Sequence, residues 1–195
     1  MALFRFTTDT SPAVVIRGDG VELRRPLIDD FAEWATLRSD SRAFLEPWEP
    51  LWSEDDLSRR AFKLRVKRAA TESDADEAYA YFIFRTQDQA LIGGLTLGLV
   101  RRGVAQACTM GYWIGERYAG QGYMTRAVRT ATRHAFDGLQ LRRIEAACLP
   151  INQRSRALLE RVGFQREGFA RQYLCIAGRW EDHLLYALLA SDIRR

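Results

Sequence analysis

The segment from Arg117 to Gly122 contains the residue types that bind phosphate at the start of a helix. A strand-like apolar run ends at Ile114, and helical periodicity begins after Gly122. A helix start has unpaired N–H groups and a partial positive charge, so it attracts a phosphate group. Gly120 and Gly122 have no Cβ atom, so backbone amides there can approach phosphate oxygens closely. We therefore predict that a phosphate group of a ligand binds at this turn.

Three interpretations of this turn compete. A plain glycine turn between a strand and a helix explains the glycines alone. A dinucleotide-binding fingerprint could use Glu145 as its acidic residue, but Thr125 stands where a third glycine is expected, and the upstream strands do not form a βαβ unit. The third interpretation rests on the spacing Arg117-x-x-Gly120-x-Gly122, which resembles the R/Q-x-x-G-x-G/A pyrophosphate loop of GNAT acetyltransferases.

Other segments extend this resemblance along nearly the whole chain. The sequence is similar to the RimJ/RimL branch, the N-terminal alanine acetyltransferases of ribosomal proteins, at residues 44–50, 92–94, 152–164 and 180–183. Trp48 between prolines and the Trp-x-Asp-His pattern at residues 180–183 favour RimJ over RimL. The resemblance implies an α+β GNAT fold: a mixed, mostly antiparallel central sheet that splays at two parallel strands, with helices on both faces. It also implies one GNAT domain over residues 1–195.

The resemblance further implies acetyl-CoA as co-substrate and direct attack of an amine on its thioester. The pantetheine arm would lie between strands at residues 104–114 and 144–149, where a backbone amide could polarise the thioester carbonyl. The residues expected to contact coenzyme A are Tyr112, Ile114, Arg117, Tyr118, Ala119, Gly120, Gln121, Gly122, Tyr123, Met124, Asn152 and Ser155.

Ser155 and Asp182 are the catalytic candidates. Asn152 and Ser155 match an Asn-x-x-Ser pattern of the family, in which the serine hydroxyl lies near the sulfur of CoA. The alternative is local: Asn152 caps a helix, and Ser155 bonds within its first turn. Asp182 could hold the substrate ammonium or anchor a strand. RimL-like enzymes place a glutamate base near the position of Leu174, so the general base stays unassigned.

Trp48 and Glu49 are the candidate substrate-binding residues. Trp48 and Trp52 could wall the acceptor site or plug the core beneath a loop, and Glu49 could equally be a solvated surface charge. His183 alternates onto an apolar strand face, which is more typical of a core histidine than of a catalytic one. Because no cluster of His, Cys and Asp has metal-ligand spacing, no metal is expected.

The elements that must position these residues follow from the periodicity. Strands are expected at residues 14–16, 21–23, 79–85, 91–100, 104–114, 144–149, 164–169 and 180–189. Helices are expected after Asp29 or Asp30, from Ser53 or Asp56 to about Ala70, after Gly122, and between Asn152 and Gly163. The second of these helices would bury Leu57, Ala61 and Leu64; the third would bury Met124, Ala127, Val128, Ala131 and Ala135.

Composition sets broad limits on the function. The chain has 195 residues, 47% of them hydrophobic, and a formal net charge of +4, a mild balance that suits an anionic ligand without indicating nucleic acid. Cys108, Cys148 and Cys175 each lie in a strand-like run, which favours reduced, buried thiols. No run approaches the roughly 18 apolar residues of a membrane span. We expect a soluble, cytoplasmic protein, with monomer and homodimer left open.

Three functions remain possible at this point. The first is acetylation of the N-terminal α-amine of a ribosomal protein. This reaction needs only a weak general base, because an α-amine has a pKa of about 7.7–8.0, whereas that of lysine is about 10.4. The second is acetylation of a polyamine or aminoglycoside, for which an acidic lip of Glu46, Glu49, Glu54, Asp55 and Asp56 is available. The third is a non-catalytic module associated with the ribosome or RNA.

Overall fold

The computed structural model describes residues 15–193, which form a single sheet of eight strands flanked by helices. The strands stand in the order β1-β2-β3-β4-β5-β6-β8-β7. They are β1 (Ile16–Gly18), β2 (Val21–Arg24), β3 (Tyr79–Arg85), β4 (Leu91–Arg101), β5 (Ala107–Ile114), β6 (Arg143–Cys148), β7 (Gln165–Ile176) and β8 (Arg179–Leu189).

The sheet is antiparallel at every junction except that between β5 and β6. These two parallel strands pair only from Ala107 to Thr109 on β5 and from Arg143 to Glu145 on β6. Beyond Thr109 the strands separate, although β5 continues to Ile114. The expected mixed sheet that splays at two parallel strands is therefore confirmed.

Helices cover both faces of the sheet, also as expected. They are α1 (Phe31–Asp40), α2 (Arg42–Leu45), α3 (Arg59–Asp74), α4 (Tyr123–Arg133), α5 (Gln153–Val162) and α6 (Ala190–Ile193), and a π-helical turn, His134–Gly138, extends α4. Phe62 of α3 stacks on Phe82, whereas His134 contacts the neighbouring Tyr81 edge-on. Because successive strand residues point to opposite faces, α3 and the end of α4 lie on opposite sides of the sheet.

Helix α4 confirms the apolar stripe expected after Gly122. Its N-cap is Gly122, at φ +80°, a left-handed conformation that glycine adopts at little cost. The stripe of Met124, Ala127, Val128, Ala131 and Ala135 is buried in the core, where alanines allow the helix to lie close to the sheet. The helix start is thus held firmly at the end of β5, next to the gap between the parallel strands.

The prediction for the preceding long helix was partly wrong. Helix α3 begins at Arg59, because the Ser58 hydroxyl caps it by accepting a bond from the N–H of Ala61 at 3.1 Å. The expected start signals form a separate turn, in which the Asp56 carboxylate accepts from the N–H of Ser53 at 3.0 Å. The buried face was also misassigned: Leu64 is 60% exposed, and Phe62 occupies the core instead.

Two strand boundaries differ from the sequence-based expectation. Strand β5 begins at Ala107, because a turn with Gly103 at φ +62° leaves Val104 fully exposed. Strand β7 runs to Ile176, well beyond Phe169, because it pairs with β8 across two register shifts. The expected first hairpin is present between Ile16 and Arg24, while Val14 lies outside the described residues. Of the three cysteines, which are all free, Cys108 and Cys148 are buried and Cys175 is exposed, against expectation.

Candidate active site

The turn from Glu116 to Gly122 presents an uncapped helix start. Gly120 and Gly122 have φ angles of +74° and +80°, and a Cβ atom at either would meet nothing within 4 Å. No side chain caps α4, and no acidic residue lies in its first turn. The first helical bond is the one from the Arg126 N–H to the Gly122 carbonyl, at 3.2 Å, so the preceding amides have no helical acceptor. These free donors and the open space beside the glycines fit a phosphate group.

Two contacts hold this turn in place, and sequence reasoning missed both. The N–H of Glu116 donates to the buried hydroxyl of Ser41 at 2.9 Å. The N–H of Gly115 donates to the carbonyl of Ile92 at 2.9 Å, and a Cβ at Gly115 would come within 2.3 Å of the Leu37 side chain. Nothing in the local sequence around Ser41 indicates a partner 75 positions away.

A cleft of about 1190 Å³ begins at this turn and extends past the gap between β5 and β6. Its lining includes most of the predicted cofactor contacts, namely Tyr112, Ile114, Tyr118, Ala119, Gly120, Gly122, Tyr123, Met124, Asn152 and Ser155. It is also lined by Phe44, Trp48, Glu49, Leu174, Ile176 and His183, a mostly apolar part of the wall that we call the apolar chamber. The cleft therefore contains the helix start, the gap between the parallel strands and this chamber.

Arg117 and Gln121 are the predicted cofactor contacts that do not line this cleft. The Arg117 guanidinium lies over the Tyr118 ring, 4.9 Å from its centroid. The Gln121 side-chain amide donates to the carbonyl of Arg117 at 2.8 Å. Their side chains therefore order the turn from its outer side.

The start of α5 brings three polar groups together at the middle of the cleft. The Asn152 side-chain carbonyl accepts from the N–H of Ser155 at 3.1 Å, so the predicted helix cap is confirmed. The hydroxyls of Ser155 and Tyr112 are 2.8 Å apart, and Cys148 lines the cleft beside them. Burial raises the pKa of the Tyr112 phenol and of the Cys148 thiol, so both groups keep their protons near neutral pH.

Glu49, which lines the apolar chamber, is held in an ion pair. Its carboxylate accepts two bonds from the Arg38 guanidinium, at 2.6 and 2.7 Å, and one from the Trp52 indole N–H at 2.9 Å. Arg38 in turn lies over the Trp52 and Trp113 rings. Trp48 lines the cleft and is partly exposed. Trp52 does not line the cleft, and it contacts Glu49 through its indole N–H.

The candidates at the end of the sheet fall on different sides of it. Asp182 is not among the residues that line the cleft; its carboxylate accepts from the N–H of Gln172 at 2.8 Å, next to a register shift of β7. His183 is buried at the cleft wall, with its Nδ1 2.9 Å from the Glu181 carbonyl and its ring against Tyr173. Leu174 presents an apolar side chain to the cleft.

In residues 15–193, no group of three or more His, Cys, Asp or Glu side chains is placed to hold a metal ion. Over the same range, none of the helices combines the length and the hydropathy needed to cross a bilayer.

Comparison with known proteins decides the family. Residues 21–165 match the family model described as the acetyltransferase (GNAT) domain. The chain belongs to the GNAT acetyltransferase family. The mostly antiparallel sheet with one splayed parallel pair is thus the GNAT fold, and its antiparallel strands before the glycine turn disagree with the dinucleotide-binding interpretation of that turn.

Proteins that are similar over nearly the whole chain indicate to which members of the family this acetyltransferase is related. It is 34% identical over 178 residues to the probable N-acetyltransferase YjcK of Bacillus subtilis, covering 91% of this chain and 98% of that protein. It is 34% identical over 183 residues to the [ribosomal protein uS5]-alanine N-acetyltransferase of Escherichia coli, covering 93% of each chain. The structure of Mycobacterium smegmatis RimJ in complex with CoA-disulfide superimposes with a TM-score of 0.87 at 32% identity, covering 94% of this chain and 89% of that one. The protein is therefore an N-acetyltransferase related to RimJ.

Proposed function

We propose that this acetyltransferase transfers the acetyl group of acetyl-CoA to the N-terminal α-amine of a ribosomal protein, with alanine as the acceptor residue. Similarity to the uS5-alanine enzyme over nearly the whole of both chains supports the acceptor. Such an acceptor would place the enzyme in the cytoplasm. The observation that supports a single α-amine as the acceptor is that few carboxylates line the cleft and that one of them is ion-paired.

Only two carboxylates line the cleft within the described part of the chain, Glu49 and Glu116. Glu116 belongs to the turn before α4, and Glu49 is paired with Arg38. A polyamine or aminoglycoside carries several cations, so its site needs several carboxylates that are free to meet them. The only carboxylate of the apolar chamber in the described part of the chain, Glu49, is ion-paired, which supports an acceptor with one amine that is neutral when it reacts.

Apart from Glu49, the acidic lip that favoured a polycation does not line the chamber. Glu46 is paired with Arg42 at 2.6 Å, and Asp56 with Arg65 at 2.9 Å. The Asp55 carboxylate accepts from the hydroxyl of Ser53. These three acids and Glu54 do not line the cleft, which supports an acceptor with a single amine over a polycation.

An α-amine is also the acceptor that needs the weakest base. With a pKa of about 7.7–8.0 it is neutral in a useful fraction near neutral pH, whereas lysine at about 10.4 is not. Leu174 lines the chamber where RimL-like enzymes would place a glutamate, and Glu49 is engaged by Arg38. A terminal amine can lose its proton to water, so this arrangement discriminates against lysine side chains.

The two walls of the chamber are joined, which favours a slender acceptor. The N–H of Ala177, in the turn between β7 and β8, donates to the Glu49 carbonyl at 2.8 Å. Leu51 lies against Gly178 of the same turn, since a Cβ there would come within 2.8 Å of it. These two contacts close the chamber on this side, which supports an acceptor that enters end-on, as a chain terminus would.

In the proposed mechanism, the free amides before and within the first turn of α4 hold the diphosphate of acetyl-CoA, which supplies the acetyl group as a thioester. The unpaired edge of β5 beyond Thr109 offers backbone amides that can stabilise negative charge on a carbonyl oxygen. Ser155 holds a proton at its Oγ, facing the cleft. Asp182, which lies outside the cleft, orders the β7–β8 wall by holding the N–H of Gln172.

An acceptor panel tests the proposal. Purified protein and acetyl-CoA are incubated with a peptide that has a free N-terminal alanine, the same peptide N-acetylated but with an internal lysine, and spermidine. We expect a mass gain of one acetyl group on the first peptide alone. Acetylation of spermidine or of the blocked peptide would overturn the acceptor class, and no product with any acceptor would point to a non-catalytic module.

A further inference from the structure

Tyr112 and Ser155 form a hydroxyl pair across the splay of the sheet. Tyr112 comes from β5 and Ser155 from the first turn of α5, and their oxygens are 2.8 Å apart. Both residues line the cleft. A phenol, with a pKa of about 10, is a far stronger acid than an aliphatic alcohol, so the favoured arrangement has the phenol as donor and the serine oxygen as acceptor.

This direction decides where the hydrogen of Ser155 points. A serine hydroxyl has one hydrogen and two lone pairs. If Oγ accepts from Tyr112, its own hydrogen is left for another acceptor. The backbone N–H of Ser155 is already bonded to Asn152, which fixes the position of the residue on the helix. The partners left for the O–H are the Cys148 sulfur, with which the Ser155 side chain also hydrogen-bonds, and a ligand in the cleft that both residues line.

The surroundings keep the donor protonated. Desolvation raises the pKa of Tyr112, and the titratable neighbours that act on it are Cys148 on β6 and Tyr186 on β8. Burial also raises the pKa values of these two groups, so they stay neutral under working conditions. The Tyr112–Ser155 pair is therefore an uncharged and persistent hydrogen bond.

We propose that Tyr112 is a positioning residue: its phenol donates to the Ser155 oxygen and thereby directs the Ser155 O–H toward the sulfur of coenzyme A. Tyr112 keeps its proton throughout, and no covalent step is involved. The inference rests on the proposed function, because it assumes that the sulfur of the coenzyme lies beside Ser155.

Coenzyme binding as a function of pH tests the contact without turnover. A hydrogen bond from Ser155 stabilises the thiolate of bound CoA, so CoA should gain affinity relative to S-methyl-CoA, which has no ionisable thiol, as pH rises from about 7 to about 9. A bound thiol with its pKa one unit below about 8.5 gives a gain of about sixfold. Calorimetry should find this gain in the wild type, abolished in Ser155→Ala and at least halved in Tyr112→Phe.

Tyr186→Phe is the matched control, because its phenol is buried but donates to Glu160 at 3.1 Å and does not line the cleft. It should keep the full gain. In turnover assays, Tyr112→Phe should lower kcat about tenfold in the wild-type background and have no further effect in Ser155→Ala.

The results distinguish a failure of the positioning role of Tyr112 from a failure of the proposed function. A full pH-dependent gain in Tyr112→Phe, or a kcat loss that persists in the Ser155→Ala background, overturns the positioning role alone. If Ser155→Ala keeps both the gain and its kcat, the role of Ser155 in the proposed function fails as well.

Discussion

The hydroxyl of Ser41 accepts a hydrogen bond from the backbone N–H of Glu116 at 2.9 Å, and this bond joins the corner between α1 and α2 to the turn before α4. Ser41 is 1% exposed, so water cannot replace the hydroxyl if it is removed. The helix start that forms one end of the cleft is therefore anchored by a residue that does not itself line the cleft.

Replacing Ser41 by alanine should weaken both the fold and cofactor binding. The N–H of Glu116 would lose its partner in a buried position, at a cost of about 1–3 kcal/mol. We expect a lower melting temperature and a several-fold higher Kd for CoA by calorimetry. Ser39→Ala, at an exposed position two residues earlier, should change neither quantity. Equal effects of the two variants would show that the anchor has no special role.

Gly120→Ala, compared with a control glycine variant, should distinguish the loss of a ligand contact from the effect of backbone strain. Alanine at φ +74° costs roughly 1–2 kcal/mol, and its Cβ would project into the open space beside the helix start. Gly103→Ala is the matched control, since Gly103 also has a positive φ, +62°, and an open Cβ position, but lies away from the cleft.

Both glycine variants should lose similar stability in urea unfolding. Only Gly120→Ala should raise the Kd for CoA, by about tenfold or more, which corresponds to about 1.4 kcal/mol of binding free energy. An unchanged Kd would remove the phosphate-binding role of the turn.

Glu49→Gln should destabilise the wall of the acceptor chamber. The Arg38–Glu49 pair is largely buried, with side chains 12% and 20% exposed, so breaking it leaves a poorly solvated guanidinium. We expect a loss of about 2 kcal/mol in the free energy of unfolding, between the values for surface and buried pairs. The KM for the acceptor peptide should rise, while the Kd for CoA stays close to that of the wild type.

Glu46→Gln provides the comparison for this pair. Glu46 bonds to Arg42 at the same distance of 2.6 Å, but the two side chains are 44% and 54% exposed. Its removal should cost at most about 0.5 kcal/mol. A loss as large as that of Glu49→Gln would mean that exposure does not set the strength of these pairs.

Asp76→Asn should change how stability depends on pH. Hydrogen bonds from Arg102, and then from Tyr79, lower the pKa of the Asp76 carboxyl. A lowered folded-state pKa means that the stabilisation is present above the ordinary value of about 3.9 and is lost as pH falls through the folded value. The wild type should therefore melt higher than the variant near neutral pH, and the gap should close in acid below about pH 4.

The Asp76→Asn variant keeps the backbone intact, because asparagine tolerates the φ of +56° at this position. Asp74→Asn is the control: Asp74 is highly exposed and lies 3.8 Å from Arg25, so the melting temperature should hardly change at any pH. A constant gap for Asp76→Asn across the whole range would contradict the assigned direction of the shift.

Local signals in the sequence were sufficient for several elements. The run from Tyr79 to Arg85 is rich in β-formers and is followed by a polar turn, and its boundaries as a strand were predicted correctly. Asn152 and Gly163 bound α5 as a cap and a left-handed stop, because each acts on backbone groups within a few residues. Where start signals were ambiguous, as at Ser53, Asp56 and Ser58, the prediction failed, since each can cap either a turn or a helix.

The sequence by itself determined the family, the glycine turn and the order of strands and helices, because these depend on residues near one another in the chain. Only the tertiary structure decided which side chains meet: Ser41 with Glu116, Arg38 with Glu49, and Tyr112 with Ser155. These pairs are separated by 11 to 75 positions, and each forms only when packed elements bring its partners within about 3 Å. The periodicity of a segment indicates which of its faces is apolar, but it does not indicate which residues that face contacts.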